Sequence, residues 1–294
     1  MHSILLNLNK EPGNEIIMGK FIPILIFAIV LQMQVCGQMR TLSPENSFTT
    51  IDTTRLEILY QLDFVNDTLK PTERLTDQQV LQIGFHSSKY FSKLLYENDS
   101  VNTVLEEQGA ENIFSPPQAA AQYEVVRNTS AKTFEVTYRS DDFVFRYSED
   151  IPKIDWIICA EKKTIQQYAC QRATCSFRGR EYEAWFTPDI PLREGPYKFG
   201  GLPGLILEMN DAQNHFVYTC IGLRKPKSAE PIKIRNWPYT ETTREKLRNF
   251  LVVKYQNITH YYNARGVTFA IHVDGKFIMN PENHALPFNP IELE

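Results

Sequence analysis

The dipeptide Arg178-Gly179 stands between two runs that alternate apolar and polar residues, Gln171–Phe177 and Arg180–Phe186. This arrangement constrains the fold more than any other feature of the chain. A two-residue hairpin turn favours Gly at its second position, because its central residues take positive φ. Taking that turn as given fixes the register: Phe177 faces Arg180, Cys175 faces Tyr182, Ala173 faces Ala184 and Gln171 faces Phe186. Side chains alternate across a strand. One face therefore collects Ala173, Cys175, Phe177, Tyr182, Ala184 and Phe186, and the other carries Arg172, Thr174, Ser176, Glu181, Glu183 and Trp185. The first face is expected in the core and the second in solvent, with Arg172 opposite Trp185 where a guanidinium can lie on the indole.

The rest of the chain reads as strands with a few helices. Arg55–Val65, Val80–Phe85, Lys89–Leu95, the Thr133–Arg139 and Phe143–Ser148 pair, and His215–Ile221 are rich in β-favouring residues and bounded by turn signals. A helix from Thr76 competes for the second of these, since Thr76 and Gln79 have capping-box spacing. Asp99–Gln108 predicts a short helix stopped by Gly109, and Ser115–Gln122, with paired prolines, predicts a loop. After Thr240, residues Leu247, Leu251, Tyr255, Ile258 and Tyr262 recur at spacings of three and four, the apolar stripe of a helix that packs on a sheet. The expected fold class is α+β and β-dominated, a strongly curved, half-barrel-like antiparallel sheet with a packed C-terminal helix; a β-sandwich is the alternative.

Near the N-terminus, Lys20 precedes an apolar run from Phe21 to Leu31 that leads into Val35-Cys36-Gly37-Gln38. This is the pattern of a secretory signal, and the run is shorter than the roughly 20 residues of a membrane-spanning helix. Residues 1–37 are expected to be a signal peptide cut after Gly37, with Met18 as the true start. Residues 38–294 are expected to form a single β-rich domain. A lipidated Cys36 is the alternative to cleavage, although Val35 is larger than a lipid-attachment signal takes. Export puts Cys159, Cys170, Cys175 and Cys220 in an oxidising compartment where disulfides persist. Three pairings are open, but Cys170 and Cys175 point to opposite faces of one strand and are not expected to be bonded to each other. With a formal charge of −4 and no long basic run, the chain lacks the electrostatic footprint of a nucleic-acid binder.

Gly195-Pro196-Tyr197-Lys198-Phe199-Gly200-Gly201-Leu202-Pro203-Gly204-Leu205-Ile206 follows the hairpin, and Gly201 to Ile206 spells GLPGLI. With Phe177-Arg178-Gly179-Arg180, Ala184-Trp185-Phe186-Thr187 and the closing Phe288-Asn289-Pro290-Ile291-Glu292-Leu293, the chain resembles the GLPGLI family of exported proteins of Gram-negative bacteria. That resemblance implies a periplasmic or outer-membrane-associated protein, and it carries over no catalytic residue, cofactor or metal. Physically, Pro203-Gly204 fits the centre of a type II turn in which Gly204 supplies the positive φ. A partner or ligand loop is the competing reading.

No Gly-x-Ser-x-Gly elbow or His-Glu-x-x-His helix occurs, and His215 and His272 sit in strand-like runs. Glu181 and Glu183 project from one face, as paired carboxylates do in some glycosidases; with Arg172 beside them, a solvated ion-pair face is the competing reading. The expectation is therefore a non-enzymatic envelope protein that binds an apolar ligand or an outer-membrane or periplasmic partner. An envelope hydrolase using acidic residues is the alternative. Candidate binding residues are Arg172, Arg180, Trp185, Tyr197, Gly201, Pro203 and Gly204.

Overall fold

The computed structural model describes residues 47–110, 119, 121–141, 143–273 and 276–294. The expected signal segment, with Met18 and Cys36, lies outside the described residues, as does most of the expected 115–122 loop. The chain begins with β1 (Phe48–Thr53), β2 (Leu56–Val65), β3 (Arg74–Ile83) and β4 (Ser87–Ser92), followed by α1 (Lys93–Glu107). Next come β5 (Tyr123–Asn128), β6 (Thr133–Ser140), β7 (Phe143–Asp150), β8 (Ile157–Ile165), β9 (Tyr168–Phe177) and β10 (Arg180–Thr187). The remainder is β11 (Leu205–Asp211), β12 (Phe216–Arg224), β13 (Pro231–Arg235), β14 (Tyr239–Glu241), α2 (Arg244–Gln256), α3 (Ile258–Asn263), β15 (Ala270–Val273) and β16 (Lys276–Met279).

Twelve strands form one sheet in the order β14-β7-β6-β5-β4-β3-β2-β12-β11-β10-β9-β8. Its pairs are antiparallel except β14 with β7, so the sheet is mixed and does not close into a barrel. The β1–β13 and β15–β16 pairs stand apart as two-stranded sheets. The hairpin between β9 and β10 has the register that its turn dictates, from Phe177↔Arg180 to Gln171↔Phe186. Arg178 (φ 49) and Gly179 (φ 78) both take the left-handed conformation that such a turn demands.

The large sheet curls tightly. Strands β7 and β10 are second and tenth in the order, so in a flat sheet eight spacings of about 4.8 Å would part them by roughly 38 Å. Yet Arg178, in the turn before β10, lies 3.0 Å from Glu149 of β7. The inner face of the curl carries Ile58, Tyr60, Leu81, Val136, Tyr182 and Tyr218, all buried. The connection from β10 to β11, residues 188–204, lays Tyr197, Phe199 and Leu202 over that face, each buried. The Phe199 ring sits 4.6 Å from Tyr182 and 5.1 Å from Phe177. Side chains of this connection thus pack inside the curl. On the β7 side α2 closes it, with Leu247 and Leu251 buried and Phe250 5.0 Å from Phe145.

The strand expected at Val80–Phe85 forms and starts earlier, at Arg74, so the competing helix from Thr76 is excluded: Thr76 pairs with Asp63 of β2 and donates to its carboxylate at 2.5 Å. Two local expectations are corrected. The helix expected from Asp99 starts at Lys93, because the Ser92 hydroxyl accepts from the Leu95 N–H and caps it. This cuts the expected Lys89–Leu95 strand short. The C-terminal stripe is two helices, broken at Asn257 (φ −146), whose side chain caps α3 through the His260 N–H.

The GLPGLI turn is also built differently from the expected type II turn. The positive φ belongs to Gly201 (φ 93), not to Gly204. Gly204 is required by space, since a Cβ there would lie 2.1 Å from the Thr187 carbonyl oxygen. Gly204→Ala should therefore cost about 2 to 4 kcal/mol, against about 1 to 2 kcal/mol for Gly201→Ala at its exposed left-handed position. Urea midpoints of the two variants check this, and the reverse order would contradict it.

Candidate functional site

Arg180 and Tyr197, two of the candidate residues, belong to one network that seats the C-terminal segment. Arg180 is buried against Asp211 at 3.1 Å and donates to the Asn289 side chain and the Pro290 carbonyl, both at 2.7 Å. Asp211 is held in turn by the Phe216 N–H at 2.8 Å. The Tyr182 hydroxyl donates to the Ile291 carbonyl at 3.1 Å, and the Leu293 N–H donates to the Arg178 carbonyl at 2.9 Å. Gly179 leaves room for this segment: a Cβ there would stand 3.0 Å from Leu293 Cβ.

At the centre of the network, Lys198 Nζ donates to Glu149 and Glu292, each at 2.6 Å, and to the Tyr147 hydroxyl at 2.9 Å. Tyr197, at φ 56, donates its hydroxyl to the same Glu292 oxygen at 2.8 Å. Burial raises the Glu292 carboxyl, but Lys198 and Tyr197 outweigh it and hold the group below its ordinary range. Glu194, in the same connection, goes the other way. It is pushed up by burial, which Arg127 and Ser88 offset only in part.

The other candidates lie elsewhere. Arg172 and Trp185 face each other across β9 and β10 on the outer face, but the guanidinium does not cover the indole. Arg172 is drawn to Glu183 at 2.7 Å and Glu161 at 2.8 Å, because a charge-assisted bond outcompetes a ring face. Lys163 takes the place over Trp185, 4.3 Å from the ring, while the indole N–H donates to Glu183 at 2.9 Å. Burial raises the Glu183 carboxyl, but Arg172 and Trp185 bring it below its ordinary range. Glu181 is bonded to Ser176. Both carboxylates are thus engaged in surface pairs. Gly201 and Pro203 are exposed in the turn, where Arg193 donates to the Gly201 carbonyl at 2.9 Å, and Gly204 is packed on Thr187.

All four cysteines of the expected domain beyond residue 37 are free thiols. Burial pushes Cys170 and Cys220 up to about 11 and Cys175 up to about 12, so they stay protonated at neutral pH. Among the described residues no group of three or more His, Cys, Asp or Glu is placed to hold a metal ion. His215 lies 3.4 Å from Arg180, and the His272 side chain lies outside the described residues.

The chain also holds a site that none of these residues lines. On the outer face of the sheet, between β3–β6, α1 and the β1–β13 layer, runs a groove of about 440 Å³. Its floor carries Lys89, Arg139 and Arg235, each nearly buried, around Asp99 and Glu124. Asp99 accepts from Arg139 at 2.6 Å and lies 3.8 Å from Arg235. Trp237 stands between these two guanidiniums, at 5.0 and 5.7 Å, and Phe48 lies under Arg235 at 4.8 Å. Sequence reading misses the groove because its walls come from segments far apart in the chain. The local signal is the alternation Lys233-x-Arg235-x-Trp237, which sets two cations and an indole on one side of an extended segment.

The model of a family described as "Protein of unknown function (Porph_ging)" matches residues 178–208, which run from the hairpin turn through the GLPGLI run into β11. No curated protein matches the chain. Two crystal structures of PNGF-II are similar, both at 14% identity, with TM-scores of 0.47 and 0.48 over 76% of this chain and 35% of theirs. The chain therefore spans about a third of the PNGF-II length. An uncharacterized conserved protein from Thermus thermophilus aligns at 9% identity and a TM-score of 0.31, over 74% of this chain and 99% of that one.

Glu292→Gln should cost about 3 kcal/mol, since it leaves Lys198 buried with one of its two carboxylates. The lowered Glu292 carboxyl contributes stability that is full above its ordinary value of 4.5 and is lost as pH falls through its folded value. Denaturation followed from pH 7 downward should therefore show a shallower acid loss in Glu292→Gln than in the parent. Parallel curves would contradict the network.

Proposed function

We propose that the chain is an exported protein of a Gram-negative cell envelope, periplasmic or outer-membrane associated, that binds a protein partner in its outer groove and performs no catalysis. The groove carries this reading: a cavity within the size range of ligand sites, with a nearly buried cationic floor and two aromatic rings, built on strands that hold it rigid. Export is supported by Lys20 and the apolar run that follows it, and by the GLPGLI resemblance. Among the described residues no helix is long and apolar enough to cross a membrane.

An open half-barrel would hold an apolar ligand inside its curve. Here Tyr197, Phe199 and Leu202 occupy that space, which favours the partner over the apolar ligand. The hydrolase alternative has little support, because Glu181 and Glu183 are spent on Ser176, Arg172 and Trp185.

The test is a photo-crosslinking residue at Trp237, in the groove, or at exposed Glu245 on α2 in the same protein in its native host. A discrete adduct with one envelope protein from position 237 alone is expected. No adduct, or the same adducts from both positions, would contradict the proposal.

A further inference from the structure

The charges of the groove are unevenly divided along it. Among the described residues that line one end, Lys89, Arg139, Lys233 and Arg235 outnumber Asp99 and Glu124. At the other, Arg224 alone faces Glu57 and Glu230, at 2.8 and 2.7 Å. Counted over these described residues, the first end carries an excess of two positive charges and the second an excess of one negative charge. Lys93 and Glu97 in the wall cancel.

This imbalance is poorly relieved by water. The side chains of Lys89, Arg139 and Arg235 are 6%, 13% and 9% exposed, and Asp99, the carboxylate that the two arginines share, is 7% exposed. Burial lowers the Arg235 guanidinium, and the neighbouring Arg139 adds to that lowering against the pull of Asp99. Lys233 lies exposed at the rim, 5.8 Å from the Phe48 ring, and has no ion pair among the described residues. A carboxylate arriving here would meet converging cations in a site already stripped of much of its water, where charge complementarity acts most strongly.

Resting on the partner reading above, we infer that the groove takes a short peptide segment of the partner that carries acidic side chains at one end and a basic side chain at the other. The acidic end seats on Lys233, Arg235 and Arg139 beside Trp237, and the basic end seats on Glu57 and Glu230. A polyanionic glycan would satisfy the first end but meet two carboxylates at the second.

Calorimetry on the full chain tests this with four probes: the end-blocked peptide Glu-Glu-Thr-Val-Lys-Lys, its counterpart Lys-Lys-Thr-Val-Lys-Lys, hexagalacturonate and inorganic phosphate. The mixed-charge peptide is expected to bind, more weakly as salt is raised, and the all-basic one not to bind. Lys233→Glu, at an exposed position, should weaken the mixed peptide about tenfold while leaving the melting curve unchanged. Glu230→Lys should weaken that peptide and strengthen hexagalacturonate. Hexagalacturonate or phosphate binding the parent as tightly as the mixed peptide, an unmoved affinity in Lys233→Glu, or no binding of the mixed peptide would each overturn the inference. If position 237 still crosslinks to a partner while the mixed peptide fails to bind, the charge assignment falls and the partner reading stands; if both fail, both fall.

Discussion

The ammonium of Lys198 is wholly buried, and its three donors have three partners: Glu149, Glu292 and Tyr147. A buried charge is tolerable only when it is paired and bonded on every side. Those partners come from β7 on one arm of the sheet and from the C-terminal segment, while Lys198 itself comes from the connection that follows β10 on the other arm. The interaction therefore ties together three parts of the chain that a flat sheet would keep far apart. The curl of the sheet, the path of residues 188–204 across its inner face and the seating of Ile291 to Leu293 all depend on it. Arg178 and Arg244 surround the same two carboxylates, at 3.0 to 3.9 Å, and Arg180 anchors the segment at Asn289 and Pro290.

This division of labour separates the two faces of the sheet. The inner face is spent on packing: its tyrosines, Phe199 and the ion network are buried there, and the sequence runs that mark the family resemblance serve that packing. Gly179 admits the C-terminal segment, Gly204 admits the Thr187 backbone, and Gly195 admits the Ile206 side chain, 2.7 Å from where its Cβ would be. Each is a close approach that a Cβ would crowd, most severely at Gly204, where it would meet backbone. The outer face, freed from holding the fold, carries the groove.

Much of the architecture is legible from local pattern. Alternation around Arg178-Gly179 is sufficient for the hairpin register, because a two-residue turn leaves no freedom in the pairing and a slip would turn Tyr182 and Phe186 to solvent. The C-terminal stripe gives the packed helix, although not its break at Asn257, where a side-chain cap competes with the helix backbone. The start of α1 is hidden because Ser92 follows a strand-like run and no acidic residue marks the first turn. Gly204 reads as a φ requirement, whereas its reason is a neighbour, Thr187, whose proximity is tertiary. Cross-strand logic alone sets Arg172 on Trp185, without Lys163 and Glu161, which β8 brings alongside. The groove is the least legible feature, since β1, β4, β6 and β13 meet there only after the sheet and its outer layer have formed.

The central claim is that the Lys198 network joins the two arms of the curl. A double-mutant cycle measures it most directly, with Lys198→Met, Glu292→Leu and the pair followed by urea denaturation. A coupling of about 2 to 3 kcal/mol between the two positions is predicted. Additive effects, with no coupling beyond a few tenths of a kcal/mol, would show that the arms are held by packing alone and contradict the account.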